Sequence, residues 1–134
     1  MAYLNKEFKF DREENYDAFI KQLALNEESA GKYLSFKPNL TLTKNGDEYT
    51  MKISAGDFKK DVTFKVGVPF QESLSNGLTP TSTVTANGDT FTQVQDFGDK
   101  GSLTFIREFT ANSLKVTIKS SKWDGVAYRY YVAA

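Results

Sequence analysis

Cysteine and histidine are absent from the sequence. Disulfides, thiolate or imidazole metal sites, thiol nucleophiles and every triad or dyad built on imidazole are excluded with them. No metal and no cofactor are expected. An excess of either charge is missing too: 17 basic residues balance 17 acidic ones, which removes the electrostatic footprint of a nucleic-acid binder. Arginine is scarce, with Arg12, Arg107 and Arg129 the only three, and the single tryptophan is Trp123. No stretch approaches the roughly eighteen apolar residues of a membrane helix. The N-terminal MAYLNKEFKFDREEN lacks the apolar centre of a secretory signal. With Ala2 after Met1, and no cysteine box from Tyr131 to Ala134, no myristoyl or prenyl anchor is expected. A cytoplasmic location is expected, and the Asn39-Leu40-Thr41 sequon reads as chance without a secretory context.

What is present is enough for one core. The 134 residues are 40% hydrophobic and 14% aromatic, the size and composition of a single domain spanning 1–134. Turn signals recur at Asn45-Gly46, Gly56-Asp57, Asn76-Gly77, Asn87-Gly88, Gly98-Asp99 and Asp124-Gly125, a punctuation that predicts a chain of hairpins. Between them residues alternate, as in Leu114, Val116 and Ile118 against Lys115, Thr117 and Lys119, with one dry face and one wet. Ten such strands can be drawn, the first over Lys6 to Phe10 and the rest from Phe36 onward. The exception lies between Asn15 and Leu34. There Asn15 is placed as a helix cap, Tyr16, Phe19, Ile20 and Leu23 recur at helical spacing, and a second short helix is predicted over Glu27 to Tyr33. Ten antiparallel strands must hide their edges, in a sandwich or in a closed up-and-down barrel wide enough to enclose a ligand.

Two positions carry chemistry. Alternation places Arg107 on the face of Leu103, Phe105 and Phe109, and it places Arg129 beside Tyr131 on one face of the last strand. A guanidinium on an apolar face needs an anionic partner inside the protein, a route to solvent, or room for an anion that arrives. Two arginines and a phenol form a clamp suited to a planar carboxylate, and the surrounding apolar wall suits a long amphiphile.

The segment Lys6, Phe8, Phe10, Asn15-Tyr16-Asp17, Phe19-Ile20 and Leu23 resembles the N-terminal signature of the cytosolic fatty-acid-binding proteins. Phe64-Lys65-Val66-Gly67-Val68-Pro69-Phe70 resembles their mid-chain motif, Lys37-Pro38-Asn39 the segment after their second helix, and Arg129-Tyr130-Tyr131 their R-x-Y ending. The resemblance spans the chain and is nearest to insect midgut members. It implies an all-β fold, a ten-stranded antiparallel up-and-down β-barrel or β-clam capped by a helix-turn-helix lid. It implies one long-chain fatty acid in an internal cavity, its carboxylate at Arg129 and Tyr131 with Arg107 joining directly or through water. Retinol carriers of the family tend to have glutamine at these arginines, so the pair favours an acid over an alcohol. The family's frequent G-x-W gives way here to Lys6, Glu7 and Phe8, so intrinsic fluorescence from Trp123 is expected to report ligand poorly. Phe58 resembles the portal phenylalanine, on a loop one residue shorter before Phe64 than in vertebrate members. Tyr16, Phe19 and Leu23 are candidates for the portal or for packing against the strands, and Phe105, Val116 and Ile118 for the cavity wall.

Rival readings are weaker. Catalysis would rest on Asp17, Glu72, Asp96 or a lysine, none paired at a spacing that suggests acid and base roles, so no enzyme is expected. A lectin-like or structural sandwich has no use for two arginines on apolar faces. The chain is expected to act as a monomer. Lys21 and Lys32 on the lid, with Lys59 and Lys60 near Phe58, are either solvated or make a transient contact with an anionic membrane. The neutral total charge thus reads as a balanced exterior enclosing positive charge at Arg107 and Arg129.

Overall fold

The computed structural model describes residues 2–74 and 77–134. Asn76 of the predicted Asn76-Gly77 turn, and Met1, lie outside the described residues. Ten strands, β1 (Glu7–Glu14), β2 (Asn39–Asn45), β3 (Glu48–Ala55), β4 (Phe58–Lys65), β5 (Phe70–Gln71), β6 (Thr81–Asn87), β7 (Thr90–Asp96), β8 (Ser102–Phe109), β9 (Ser113–Ser120) and β10 (Trp123–Ala133), form one sheet. Their spatial order is β4-β3-β2-β1-β10-β9-β8-β7-β6-β5, with every pair antiparallel. The sheet curls into a nearly closed barrel whose two edges, β4 and β5, do not pair with each other. Hydrogen bonds stitch the flanks of that gap. Gly67 N–H donates to Val84 O at 2.8 Å, and Lys60 Nζ donates to Ser73 O at 2.8 Å.

The hairpin turns at Gly46, Gly56 and Gly88 fall where the glycine pairs predict. At Gly46 the backbone takes φ +66°, a left-handed conformation that a side chain disfavours. The Asp124-Gly125 pair departs from expectation. The hairpin turns earlier, between Ser120 and Trp123, and Asp124-Gly125 lies within β10, where the register with β9 shifts between Trp123 and Ala127. Gly125 is required there by the indole of Trp123, which lies where a Cβ would be.

Strand β1 is also longer than its alternation suggests, because a bulge at Asp11 interrupts it. Phe10 pairs with Tyr131, Arg12 with Tyr130 and Glu13 with Arg129. One extra residue reverses the alternation, so Phe10 and Glu13 both face inward while Arg12 and Glu14 face out and pair at 3.2 Å. Strand β2 begins at Asn39 rather than Phe36, the residues up to Pro38 completing the exit from the helices.

Two helices, α1 (Tyr16–Gln22) and α2 (Glu27–Ser35), follow β1. Asn15 does precede α1, but it adopts φ +58° and makes no side-chain cap; its amide reaches across to Val126 O at 3.0 Å and ties the helix to β10. Asn26 is the true cap, accepting from Ser29 N at 2.8 Å, and α2 runs to Ser35, two residues beyond the predicted end at Tyr33. No helix among the described residues is long and apolar enough to cross a membrane. Helix α1 is the one that packs, burying Tyr16, Phe19 and Ile20, whereas α2 buries no residue.

The end of the barrel away from the helices is filled by rings. Tyr3 stacks on Phe109 at 4.8 Å, and Phe8 and Phe91 meet the same ring edge-on at 5.7 and 5.8 Å. Such edge-to-face contacts add to the burial of large apolar area and close this end as a solid core.

Candidate functional site

The inner wall is read directly from the pairing. Arg129 on β10 pairs with Val116 on β9, and Val116 pairs with Arg107 on β8. The arginines therefore stand level, two strands apart, roughly 10 Å between backbones by the usual strand spacing. Tyr131 lies one inward position along β10 from Arg129, and Ile118 one inward position along β9 from Val116, between Ala127 and Phe105.

Arg107 is enclosed by protein, and loss of hydration pulls its proton affinity down, opposed by Glu72 and Tyr131. It nevertheless keeps some accessible surface, as do Leu103 and Phe105 along the same inward row, which places their side chains around internal space rather than in tight packing. Its Nη1 donates to Gln93 Oε1 at 2.8 Å, and its guanidinium lies 5.4 Å from the Phe105 ring centre.

Gln93 is itself held. One oxygen of Glu72 accepts from Gln93 Nε2 at 2.8 Å, Gln95 Nε2 at 2.9 Å and Ser82 Oγ at 2.8 Å. Three donors on one carboxylate oxygen inside a barrel make a satisfied network, and it links Glu72 through Gln93 to Arg107. The sequence reading missed it. Gln93 and Gln95 alternate with Phe91 on the inward row of β7, a legible sign of a polar interior; Glu72 follows the two-residue β5 and has no alternation to betray it.

Arg129 is 5% exposed. Its Nε donates to Glu13 Oε2 at 3.1 Å, an ion pair inside the barrel. The guanidinium lies 4.0 Å from the Tyr16 ring centre and 4.8 Å from that of Phe10, an aromatic cradle for a partly desolvated cation. Its Nη2 is buried with no hydrogen-bond partner among the described residues. Burial raises the Tyr131 phenol, while the positive charges of Arg129 and Arg107 pull it back. Burial likewise pushes Tyr16 up to about 12, against the opposing pull of Arg129.

The expected excess of interior positive charge is thus corrected. Two guanidinia face two carboxylates, Glu13 and Glu72, both supplied by the chain. Arg107 reaches its acid through an amide, and Arg129 reaches its acid directly. The bulge at Asp11 is why inspection of the alternation overlooked Glu13.

The remaining candidates separate. Tyr16 reaches the arginine site; Phe19 packs on Trp123 with ring centres 5.9 Å apart, and Leu23 is the C-cap of α1, partly buried against the core. Phe58 is 43% exposed beside the turn after β3 and meets Phe36 edge-on at 5.3 Å. Two surface hollows, of about 310 Å³ beside Leu78–Lys100 residues including Phe97, and about 630 Å³ against Ile53 and Lys59, touch neither arginine. Among the described residues no cluster of acids is arranged to hold a metal.

A nearly closed ten-stranded barrel with two helices over one end and arginines on its inner wall defines the class of lipid-binding β-clams. No family model matches the chain. Curated proteins do: it is 49% identical to fatty acid-binding protein 1 of Manduca sexta, over 99% of this chain and 100% of that one, and 38% identical to fatty acid-binding protein 2 of the same organism, over the same shares. Among solved structures, the fatty-acid-binding protein isolated from Manduca sexta superposes with a TM-score of 0.89 at 39% identity, covering 98% of this chain and 99% of the other. The Schistosoma mansoni fatty acid binding protein in complex with arachidonic acid superposes at 0.88 with 27% identity, covering 99% and 96%. The chain belongs to the fatty-acid-binding protein family.

Proposed function

We propose that this protein binds and transports long-chain fatty acids as a cytoplasmic monomer, holding one ligand in the barrel and leaving it chemically unchanged. The observation that carries the reading is the level placement of Arg107 and Arg129 on the inner wall, with Tyr131 one inward position along β10 from Arg129. The relatives named for fatty acid binding, and the Schistosoma mansoni complex with arachidonic acid, support it. Each methylene moved from water to an apolar wall is worth about 0.8 kcal/mol, so a sixteen-carbon tail gains on the order of 10 kcal/mol before ordering costs. The carboxylate adds roughly 1.5–3 kcal/mol per charged hydrogen bond and fixes orientation. Tyr131 and Arg129 are its primary contacts, with Arg107 behind. Phe105, Val116 and Ile118 line the path of the tail, and Tyr16, Leu23 and Phe58 the way in; Phe19, seated on Trp123, serves the lid's attachment instead. Arg129→Ala should weaken oleate binding by more than about tenfold with an unchanged circular dichroism spectrum. An unchanged titration removes the clamp.

Delivery by transient membrane contact fits the same end of the molecule. Leu34 on α2 and Phe58 are both exposed large apolar residues, and Lys21 and Lys59 form no ion pair among the described residues. Lys32 pairs with Glu28 at 3.5 Å and Lys60 is committed to Ser73, which leaves Lys21 and Lys59 as the stronger contributors. Charge reversal of Lys21 and Lys59 should slow transfer to anionic vesicles; an unchanged rate rules the contact out.

A further inference from the structure

Arg129 presents two N–H groups along the edge of its guanidinium that a carboxylate grips sideways, Nε and Nη2. Glu13 occupies Nε at 3.1 Å, while Nη2 is buried with no hydrogen-bond partner among the described residues. The edge is therefore half used, by an acid of the protein itself.

The interior already holds two guanidinia and two carboxylates. A ligand carboxylate arriving in ionised form leaves this enclosed space with an uncompensated negative charge, which a desolvated site resists strongly. One of the two resident acids must yield. Glu72 is fixed, because one of its oxygens accepts from Ser82, Gln93 and Gln95 together. Among the described residues Glu13 has Arg129 as its one ion-pair partner, and its side chain is 25% exposed against 6% for Arg129. It also stands one residue from the end of β1 and three residues before α1, where the chain leaves the barrel wall. Of the two acids it is the one with little to lose and a path to water.

We propose that Glu13 is an exchangeable counter-ion. It neutralises Arg129 in the empty barrel, the ligand carboxylate displaces it, and the full edge of Arg129 then grips the ligand while Glu13 turns toward solvent. Glu13 thereby sets how strongly the protein discriminates an acid from a neutral lipid of the same length. The inference rests on the carboxylate being received at Arg129, as proposed above. Among the described residues the other neighbours of this guanidinium carry no negative charge to exchange: Tyr16 and Phe10 offer ring faces to it, and burial raises the phenol of Tyr131.

The test compares wild type, Glu13→Gln and Arg129→Ala, each titrated with oleate and with oleyl alcohol. Glutamine keeps the shape and an acceptor for Nε but removes the competing charge. Glu13→Gln should tighten oleate binding by about fivefold or more, the scale expected on removing one charged competitor, and leave the alcohol within about twofold. If Glu13→Gln binds oleate no better than wild type while Arg129→Ala still loses oleate, the exchange is wrong and the clamp stands. If Arg129→Ala keeps full oleate affinity, the clamp and the exchange both fall. A measurement on the wild-type protein guards against a variant that misfolds: the carboxyl carbon resonance of Glu13, assigned by NMR, should shift on saturation with oleate. A resonance that stays in place overturns the exchange.

Discussion

Arg107 and Arg129 stand at one height on the inner wall, each in register with Val116 on the strand between them. A single valine thus separates the two cations, and its side chain occupies the place from which both can be reached.

Replacing Val116 by glutamate puts a tethered carboxylate between the guanidinia. It should act as a built-in ligand headgroup and reduce oleate affinity by more than about tenfold, since the incoming acid meets a site already filled with like charge. Val116→Leu keeps the wall apolar and should bind within a few-fold of wild type. Isothermal titration with both variants checks this, and a glutamate variant that binds oleate normally shows that the headgroup lies elsewhere.

Alkaline unfolding offers an independent reading of the buried phenols. Burial, first among the causes, pushes Tyr3 and Tyr16 up to about 12 from 10.0. The native state therefore retains protons that the unfolded chain releases near pH 10. Their contribution to stability is complete below about pH 10 and is lost as pH rises toward 12, by up to about 1.4 kcal/mol per pH unit for each group. Urea midpoints should be insensitive to these groups from pH 7 to 9.5 and decline steeply above 10. A flat profile to pH 11.5 contradicts the burial of both rings.

Trp123 is held between Gly125 and the lid. A Cβ on Gly125 would strike the indole, including Cε2 at 2.5 Å, and the other side of the ring system meets Phe19 of α1. Gly125→Ala should force the indole outward, red-shift the emission of the only tryptophan and destabilise the fold by about 1–3 kcal/mol. Wild-type emission and Tm in this variant would exclude the contact. Trp123 accordingly senses the seating of α1 more directly than the headgroup site.

How well the sequence could be read varies by strand. On β7, β8 and β9 the pairing runs without a break from Asp96 to Ser102 and from Phe109 to Leu114, so a period of two, counted along Leu103, Phe105, Arg107 and Phe109, names the inward row correctly. On β1 one bulged residue reverses that count. Arg12 and Glu14, which simple alternation aligns with Phe8 and Phe10, point outward, and Glu13 turns in. Asn15 illustrates the same limit for helices: its position before α1 is plain, yet its amide serves Val126, 111 residues away, instead of the helix end. Asn26, whose capping bond spans three residues, is a local matter and sits where local rules place it.

By itself the sequence determined that the protein has no imidazole or thiol chemistry, that its chain is punctuated into hairpins, and that two of its three arginines fall on apolar rows of strands. Those properties depend on composition and on near neighbours. Only the tertiary structure decided that the arginines are already answered from within, Arg129 by Glu13 across 116 residues and Arg107 by Glu72 through Gln93. The reason is physical. A buried charge is balanced by whichever group the closed barrel brings near it, and closure, together with one bulge in its first strand, is a property of all ten strands at once.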